Sequence, residues 1–172
     1  MIFVSKKSVG VKISGDLLGQ NNQEVFDWLE NTAYDNDLTI IVGGGTQINE
    51  AFVKKGLEIK FCPFGRICET KQQRRLAKKI LKQNRKELAK ILKIKGIKAN
   101  LVLPMVKIGK KLCHVNGDIV ILNAYIEYDI VFILTTKERE ERKKRWLENL
   151  EKIFSNPQKK EEGLEKIQII GF

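Results

Sequence analysis

The sequence predicts an α/β fold: a three-layer αβα sandwich with a mostly parallel central sheet, formed by residues 1–172 as a single domain. The main observation is that short apolar segments rich in β-branched residues alternate with segments of helical period, as in parallel βαβ units. A second observation is that glycines directly follow the first two predicted strands. A chain of 172 residues with 42% hydrophobic content can bury the core of one ordinary domain.

The N-terminal region predicts a strand followed by a helix. Residues 9–14 alternate apolar and polar and stop at Gly15-Asp16, which indicates a strand entering a tight turn, with Lys12 on its polar side. Residues 22–34 place Val25 and Leu29 on one face of a predicted helix.

A second strand and a second helix meet at three consecutive glycines. Residues 38–42 are β-rich without a helical period, which is typical of a buried parallel strand. Gly43, Gly44 and Gly45 end that strand. Thr46 is predicted to cap a helix from residue 47 to about residue 55, closed by Gly56.

The rest of the chain continues the alternation of strands and helices. Residues 69–95 predict a long basic helical region, either one helix or two helices broken near Gln83 and Asn84, ended by Gly96. After it the sequence predicts a strand at 99–103, a hairpin around Gly109, a turn at 115–118 and a short helix to about 127. The last predicted elements are a strand at 130–134, a charged helix capped by Thr135 or Thr136 and running to about 150, and a strand at 167–170. Residues 155–163 predict either a linker or a long surface loop.

Composition restricts the location, the metal chemistry and the partners. No apolar run approaches the roughly 20 residues of a membrane helix, and the apolar stretch after Met1 is too short for a signal peptide, so we expect a cytoplasmic protein without a membrane partner.

The odd number and irregular spacing of Cys62, Cys68 and Cys113 favour buried thiols. His114 is the only histidine, which excludes a metal site built on several imidazoles. The net charge of +11 favours an anionic partner.

The triple glycine is the most informative chemical feature of the sequence. Glycines between a strand and a helix let backbone N–H groups approach an anion, although the same pattern also fits a tight, closely packed turn. The segment is neither a Walker loop nor a dinucleotide fingerprint, because it lacks the Gly-Lys-Ser/Thr ending of the first and the third spaced glycine of the second.

Further polar residues are expected beside the glycines, because ligands of open α/β sheets bind at the carboxyl ends of the strands. Gly15 follows the first strand, and Thr135-Thr136 follow a later one. Lys12 is either a candidate cation for a transferring phosphoryl group or a solvated lysine. The remaining candidates are an amide and a carboxylate, Asn116 and Asp118, which also fit ordinary turn chemistry.

Several motifs together resemble the amino-acid kinase family. Residues 11–15, Val-Lys-Ile-Ser-Gly, are similar to its opening strand, and with Asp16 they come nearest to bacterial uridylate kinases. Residues 40–50, Ile-Ile-Val-Gly-Gly-Gly-Thr-Gln-Ile-Asn-Glu, resemble acetylglutamate kinases. Residues 64–70 resemble the segment that carries a substrate-clamping arginine, here Arg66, and residues 114–118 resemble an Asn-any-Asn-Ala-Asp turn. The similarity runs from about residue 9 to about residue 136.

The resemblance implies a small-molecule kinase that moves a phosphoryl group from ATP, with magnesium, to a carboxylate or phosphate of an anionic metabolite. Lys12 and Asp118 take the catalytic roles: Lys12 stabilises the transferred group and Asp118 holds Lys12 in place. The other implied site residues are Gly15, Gly43, Gly44, Gly45, Arg66 and Asn116 for substrate and phosphate, and, more weakly, Thr135, Thr136 and Lys137 for the nucleotide. A homodimer is also expected from the resemblance.

The chain differs from the family after Thr136, where a charged run replaces an Asp-Val-Asp-Gly-like loop and no normal ATP lobe is recognisable. A non-catalytic anion-binding or regulatory module of the same fold is therefore an alternative. A basic nucleic-acid-binding protein is a less favoured one, because the lysine-rich region at 71–98 fits a solvated helix face and has no interleaved aromatics. Acids and bases are mixed in residues 137–145, which favours i,i+4 pairs within that helix.

Overall fold

The structure is a computed structural model, which describes residues 6–19, 22–62, 65–108, 111–114, 116–154 and 166–172. Its strands are β1 (Lys7–Ile13), β2 (Asn36–Val42), β3 (Lys60–Cys62), β4 (Gly65–Ile67), β5 (Ala99–Val102), β6 (Met105–Ile108), β7 (Lys111–His114), β8 (Ile130–Thr135) and β9 (Ile167–Gly171). Its helices are α1 (Gln23–Asp35), α2 (Gly45–Lys54), α3 (Lys71–Ile94), α4 (Gly117–Asn123) and α5 (Lys137–Phe154). Short 3-10 turns lie at Gly15–Leu17 and Tyr125–Glu127.

The central sheet has five strands in the order β5-β2-β1-β8-β9, and every neighbouring pair in it is parallel. In the register, Val11 of β1 lies between Ile40 of β2 and Phe132 of β8. Two antiparallel hairpins, β3-β4 and β6-β7, stand outside this sheet. The predicted fold class is confirmed, and so is the hairpin of β6 and β7, although Gly109 itself lies outside the described residues.

Helices cover both faces of the sheet because the strand side chains alternate between two apolar clusters. One cluster joins β1, β2, α1 and α3 through Val9, Val11, Ile13, Leu38, Ile40, Phe26, Leu29, Leu88 and Leu92. The other joins β2, β8, α4, α5 and β9 through Ile41, Val131, Ile133, Ile121, Leu147 and Ile167. The arrangement is a three-layer sandwich, with α1 and α3 on one side and α4 and α5 on the other.

The long basic region is one uninterrupted helix, α3, so the alternative of two helices broken near Asn84 is wrong. Asn84 turns inward, where its amide donates to the carbonyl oxygen of Gly43 at 2.9 Å. Because the buried amide of Asn84 has a backbone partner, the helix accommodates this residue without breaking. Thr70 and Gln73 form a capping box at the start of the helix, and Gly96, at φ +71°, ends it.

One predicted helix cap is wrong. Gly44 precedes α2, and Thr46 lies inside its first turn, where its hydroxyl accepts from Arg139 at 3.3 Å. Of the two alternatives for the cap of α5, Thr135 is the last residue of β8 and is fully buried beside Ser14, whereas Thr136 directly precedes the helix. The predicted closure of α2 is confirmed, since Gly56 adopts φ +61° just after it.

The cysteine and membrane predictions can be compared with the structure only in part. Cys68 is half-buried against the apolar cluster of α2 and α3, while the side chains of Cys62 and Cys113 lie outside the described part. The predicted linker at 155–163 also lies outside it. Among the described helices, none is both long and apolar enough to span a bilayer.

Candidate functional site

A cavity of about 470 Å³ opens at the carboxyl edge of the sheet, above the ends of β1 and β2. Parallel strands bring the loops that follow them to one edge, which is why residues distant in sequence meet here. The predicted site residues that line it are Lys12, Gly15, Gly43, Gly44, Gly45, Arg66, Asn116 and Asp118. The lining also includes residues that the sequence did not single out as ligand contacts, among them Ser14, Asn49, Phe61, His114, Arg139, Arg142 and Lys143.

Two of the glycines are required by close packing of the strand ends. A Cβ on Gly43 would overlap the carbonyl oxygen of Ile13, to which the Gly43 N–H donates at 2.8 Å. A Cβ on Gly15 would overlap the side chain of Gln47 and lie 2.8 Å from the Cα of Gly44. Any side chain at Gly43 or Gly15 would therefore push the ends of β1 and β2 apart.

Gly45 plays a different part, because no described atom lies within 4 Å of the place where its Cβ would stand. It is the first residue of α2 and lines the cavity. The first backbone bond of α2 runs from the N–H of Ile48 to the carbonyl of Gly44, so the preceding N–H groups are left over at the helix start. Open space beside unpaired N–H groups at a positive helix end suits an anion.

Arg66 of β4 is buried at one end of the cavity, with 7% of its surface exposed. It donates to the carbonyl oxygen of Gly45 at 2.9 Å and to the side-chain oxygen of Asn49. Its guanidinium carbon lies 5.0 Å from the ring centre of Phe61 and 5.5 Å from that of Phe52. These contacts hold the guanidinium in one position, while its Nε has no hydrogen-bond partner among the described residues.

Lys12 and Asp118 form a buried ion pair at the centre of the cavity. Lys12 Nζ lies 2.9 Å from Asp118 Oδ1, without the alignment of a hydrogen bond, and donates to Ser14 Oγ at 3.1 Å. Asp118 is held at the start of α4, where its N–H donates to the side-chain oxygen of Asn116 at 3.1 Å. The prediction that Asp118 organises Lys12 agrees with this geometry, and Lys12 is buried rather than solvated.

Lys143 of α5 binds the other oxygen of the same carboxylate. Burial by itself would raise the pKa of Asp118, but the positive charges of Lys12 and Lys143 lower it to about 2. Burial, followed by repulsion from Lys12, lowers the pKa of Lys143 to about 8 even though Asp118 opposes the shift. One carboxylate thus holds two lysines at the cavity and leaves an uncompensated positive charge.

Two further cations of α5 extend the positive lining. Arg139 donates to a carboxylate oxygen of Asp16 at 2.6 Å and to the hydroxyl of Thr46, which ties α5 to the turns after β1 and β2. Arg142 also lines the cavity. With them, five cationic side chains face two carboxylates in the cavity, an excess that favours a multiply charged anion.

The predicted nucleotide contacts lie beside the cavity rather than on its described lining. Thr135 is buried under Ser14, and Lys137 is exposed at the start of α5, where its N–H donates to the carbonyl of Phe172 at 3.1 Å. Thr136 is half-buried between them. The residues of α5 that do line the cavity come one turn later, at Arg139, Arg142 and Lys143.

The spacing of these three residues in the sequence is a signal that could identify them. Positions 139, 142 and 143 are related by i, i+3 and i, i+4, so they share one face of a helix that follows directly after a parallel strand. The expectation of i,i+4 pairs within α5 is correct for Lys144, which contacts Glu140 at 2.6 Å, whereas Arg139 and Lys143 pair with carboxylates outside the helix.

His114, at the end of β7, also lines the cavity. Burial, together with the positive charge of Arg66, lowers its pKa to about 4, so its imidazole is neutral at pH 7. Its buried Nδ1 has no hydrogen-bond partner among the described residues. A neutral ring beside a buried arginine makes this end of the cavity able to hold both an anionic and an uncharged polar group.

No cluster of three or more His, Cys, Asp or Glu side chains that could hold a metal ion occurs in the part of the chain that the structure describes. The two cavity carboxylates are already occupied by cations, Asp16 by Arg139 and Asp118 by Lys12 and Lys143. The donor set of the cavity is thus suited to an anion, and a divalent cation fits it best in company with phosphate oxygens.

The fold and the site together define a parallel α/β protein with a cationic, glycine-lined cavity at the carboxyl edge of its sheet. In comparisons with known proteins, no family model and no curated sequence matches this chain. The resemblance to amino-acid kinases therefore stays a prediction from the motifs, and the function is argued from the cavity itself.

Proposed function

We propose that the protein transfers a phosphoryl group from ATP to a carboxylate or phosphate of a small anionic metabolite. The observation that carries the proposal is the triad of Lys12, Asp118 and Lys143 beside the glycine turns. Phosphoryl transfer needs little covalent chemistry from a protein. It needs the reactants to be aligned and the charge on the equatorial oxygens to be stabilised.

The triad supplies that charge in a fixed position. Lys12 comes from β1 and Lys143 from α5, and both are fixed by the carboxylate of Asp118. These three side chains are largely removed from water and already ordered. They therefore attract a developing negative charge more strongly than they would in water, and they need little rearrangement to do so. The N–H groups at the start of α2 add dipoles directed at the same anion.

The two ends of the cavity differ, which supports separate positions for acceptor and donor. Arg66, His114 and Asn116 lie at the hairpin end, where a buried guanidinium suits the acidic group of the acceptor. Arg139 and Arg142 lie at the α5 end, where they suit the phosphates of a nucleotide. Magnesium would enter with the nucleotide phosphates, since the cavity carboxylates bind cationic side chains.

A second candidate function is a non-catalytic module that binds a phosphorylated or acidic ligand. The observation that favours it is that Gly15 and Gly43 are required by packing alone, so their presence does not by itself demand a phosphate. The same cations would then hold an anion without transferring anything.

Calorimetric titration with Mg-ATP, alone and with UMP or N-acetylglutamate, separates the two candidates. We expect saturable ATP binding that one acceptor strengthens, with ADP formed only in the presence of that acceptor. Binding of inorganic phosphate without any ATP binding would favour the non-catalytic module. Absence of binding for ATP, phosphate and both acceptors would show that the proposal is wrong.

A further inference from the structure

The outer side of α3 carries a concentration of positive charge that the cavity does not use. The helix contains ten lysines and arginines and a single acid, Glu87. Near the cavity, α3 makes an uncharged contact, in which the side-chain amide of Asn84 donates to the carbonyl oxygen of Gly43. Among the ion pairs of the described residues, none involves a lysine or arginine of α3.

This charge weakens the helix that carries it. Cations recur at four-residue intervals in two series, Lys71, Arg75 and Lys79, and Lys78, Lys82, Lys86 and Lys90. Like charges at i,i+4 repel each other across one turn, and cations near a helix start oppose the helix dipole. A bound polyanion would relieve both effects, whereas water and salt relieve them only in part.

The exposed cations form a continuous strip, which we call the basic face. Two shallow grooves follow each other along the helix, and no carboxylate lines either of them. Their cations are Lys55, Lys71, Arg75 and Lys79 in the first groove and Lys82, Arg85 and Lys86 in the second. A 24-residue helix is about 36 Å long, which is about one turn of a nucleic-acid duplex.

The surroundings of the basic face favour nucleic acid over a membrane. A helix that lies on a membrane inserts an exposed apolar side, but the apolar side of α3 packs into the protein, with Ala77, Leu81 and Leu88 fully buried. The exposed large apolar residue of α3 is Ile94, the last residue of the helix, which is too little to form an inserting side. The helix contains no aromatic residue on which unpaired bases could stack. What remains is a row of point charges, which matches the phosphates of a duplex without reading its bases.

We propose that the basic face of α3 binds the phosphate backbone of a nucleic-acid duplex without sequence preference. The binding is electrostatic, so it depends steeply on salt, with each released counterion contributing to the slope. This site is separate from the cavity, and the proposal does not depend on any kinase activity.

Fluorescence anisotropy with labelled 20-base-pair DNA and RNA duplexes, measured between about 50 and 200 mM salt, tests the proposal. The test variant combines Arg75→Gln, Lys79→Gln and Lys82→Gln. The matched control removes the same charge away from α3, with Lys6→Gln, Lys7→Gln and Arg145→Gln. At about 0.1 M salt we expect the test variant to bind the duplexes on the order of a hundredfold more weakly than the parent protein. The slope of log affinity against log salt concentration should fall in magnitude by about 3. The control variant should keep an affinity and a slope close to those of the parent protein.

Three results would overturn the proposal. The first is no saturable binding of either duplex at the lowest salt. The second is an equal loss of duplex affinity in both triple variants, which would mean that the net charge of the protein attracts the duplex without a defined binding face. The third is binding to vesicles of phosphatidylcholine and phosphatidylserine with no binding of the duplexes, which would assign the basic face to a membrane. Circular dichroism of both variants checks that α3 remains helical.

Discussion

The helices α3 and α5 place their positive charges differently, and α5 also carries five glutamates where α3 has only Glu87. Both are rich in lysine and arginine, yet α5 directs Arg139 and Lys143 to carboxylates at the strand ends and pairs Lys144 with Glu140. No described ion pair involves a cation of α3. The comparison teaches that the location of a basic helix, rather than its basic content, decides whether its charges build a site or face solvent.

The difference arises from what precedes each helix. α5 follows β8 directly, so its first turns start at the carboxyl edge where Asp16 and Asp118 lie. α3 follows the β3-β4 hairpin and packs along β2 and β5 with its apolar side inward. Its cations therefore project away from the sheet, where no carboxylate of the described chain meets them.

The largest expected effect comes from removing the carboxylate that holds the inward cations. Asp118→Asn should lower phosphoryl transfer by about a thousandfold or more, because Lys12 and Lys143 lose their common partner. Lys12→Ala should have a similar effect. Turnover assays measure this, with circular dichroism to confirm folding. The matched control is Asp129→Asn, at an exposed carboxylate that binds Ser8 away from the cavity. Undiminished turnover in both cavity variants would contradict the site.

Neighbouring lysines of α5 allow the comparison to be made within one helix. If the proposed function is correct, Lys143→Gln should weaken ATP binding and turnover by about a hundredfold, because a half-buried cation held by Asp118 at the cavity is lost. Lys144→Gln should change neither, since Lys144 pairs with Glu140 within the helix and is not among the residues that line the cavity. Equal behaviour of the two variants in calorimetry would mean that α5, like α3, uses its charges only at the surface.

The next comparison is between two arginine variants, one at an arginine that lines the cavity and one at an arginine on the basic face. Arg66→Ala should weaken binding of the acidic acceptor by about tenfold or more while leaving ATP affinity unchanged, because Arg66 lies at the hairpin end of the cavity. Arg85→Ala, on the basic face, should leave acceptor binding unchanged. Titration of the acceptor measures both. An unaltered acceptor affinity in Arg66→Ala, in a variant that unfolds at the parent temperature, would remove the clamp role.

A smaller effect is expected from pH. The pKa of Lys143 is lowered from its ordinary value of 10.5 to about 8, so Lys143 is cationic below pH 8 and neutral above it. ATP affinity should fall by about tenfold between pH 7 and pH 9.5. The unfolded chain keeps that proton up to pH 10.5, so the contribution of Lys143 to the free energy of unfolding rises between about pH 8 and pH 10.5.

Lys143→Arg is the control for the pH prediction, because arginine keeps its charge throughout this range. ATP affinity of that variant should be flat between pH 7 and pH 9.5, as calorimetry at several pH values can measure. A decline as steep as in the parent protein would assign the titration to another group.

The smallest expected effect is on the stability of α3 itself. Lys82→Glu replaces repulsion of Lys78 and Lys86 by attraction, which should stabilise the helix by a few tenths of a kcal/mol and raise the unfolding midpoint by about 1 °C at low salt. Glu141→Lys in α5 should lower the midpoint by a similar amount, because it removes a contact with Lys144. Thermal unfolding at low and high salt measures both. Shifts that persist at high salt would rule out an electrostatic origin.

The sequence predicted most of the fold because the evidence for it is local. Alternation of side chains identified β1, and the β-rich run before Gly43 identified β2. Helical spacing identified α1 and α3. The predictions that were wrong, such as the cap at Thr46 and the break near Asn84, concern residues whose partners are distant in the chain.

The sequence by itself determined the alternation of strands and helices and the meeting of Lys12, Gly15 and the triple glycine at one sheet edge, because parallel strands end on the same side. Asp118 follows the antiparallel hairpin of β6 and β7, so it is the tertiary structure that brings it to this edge. Only the tertiary structure decided that Lys143 shares the carboxylate of Asp118 and that the cations of α3 face outward. The physical reason is that the sequence states which residue is charged but not which way its side chain faces. The direction in which a helix presents that charge depends on how its apolar side packs, and packing is set by the whole chain.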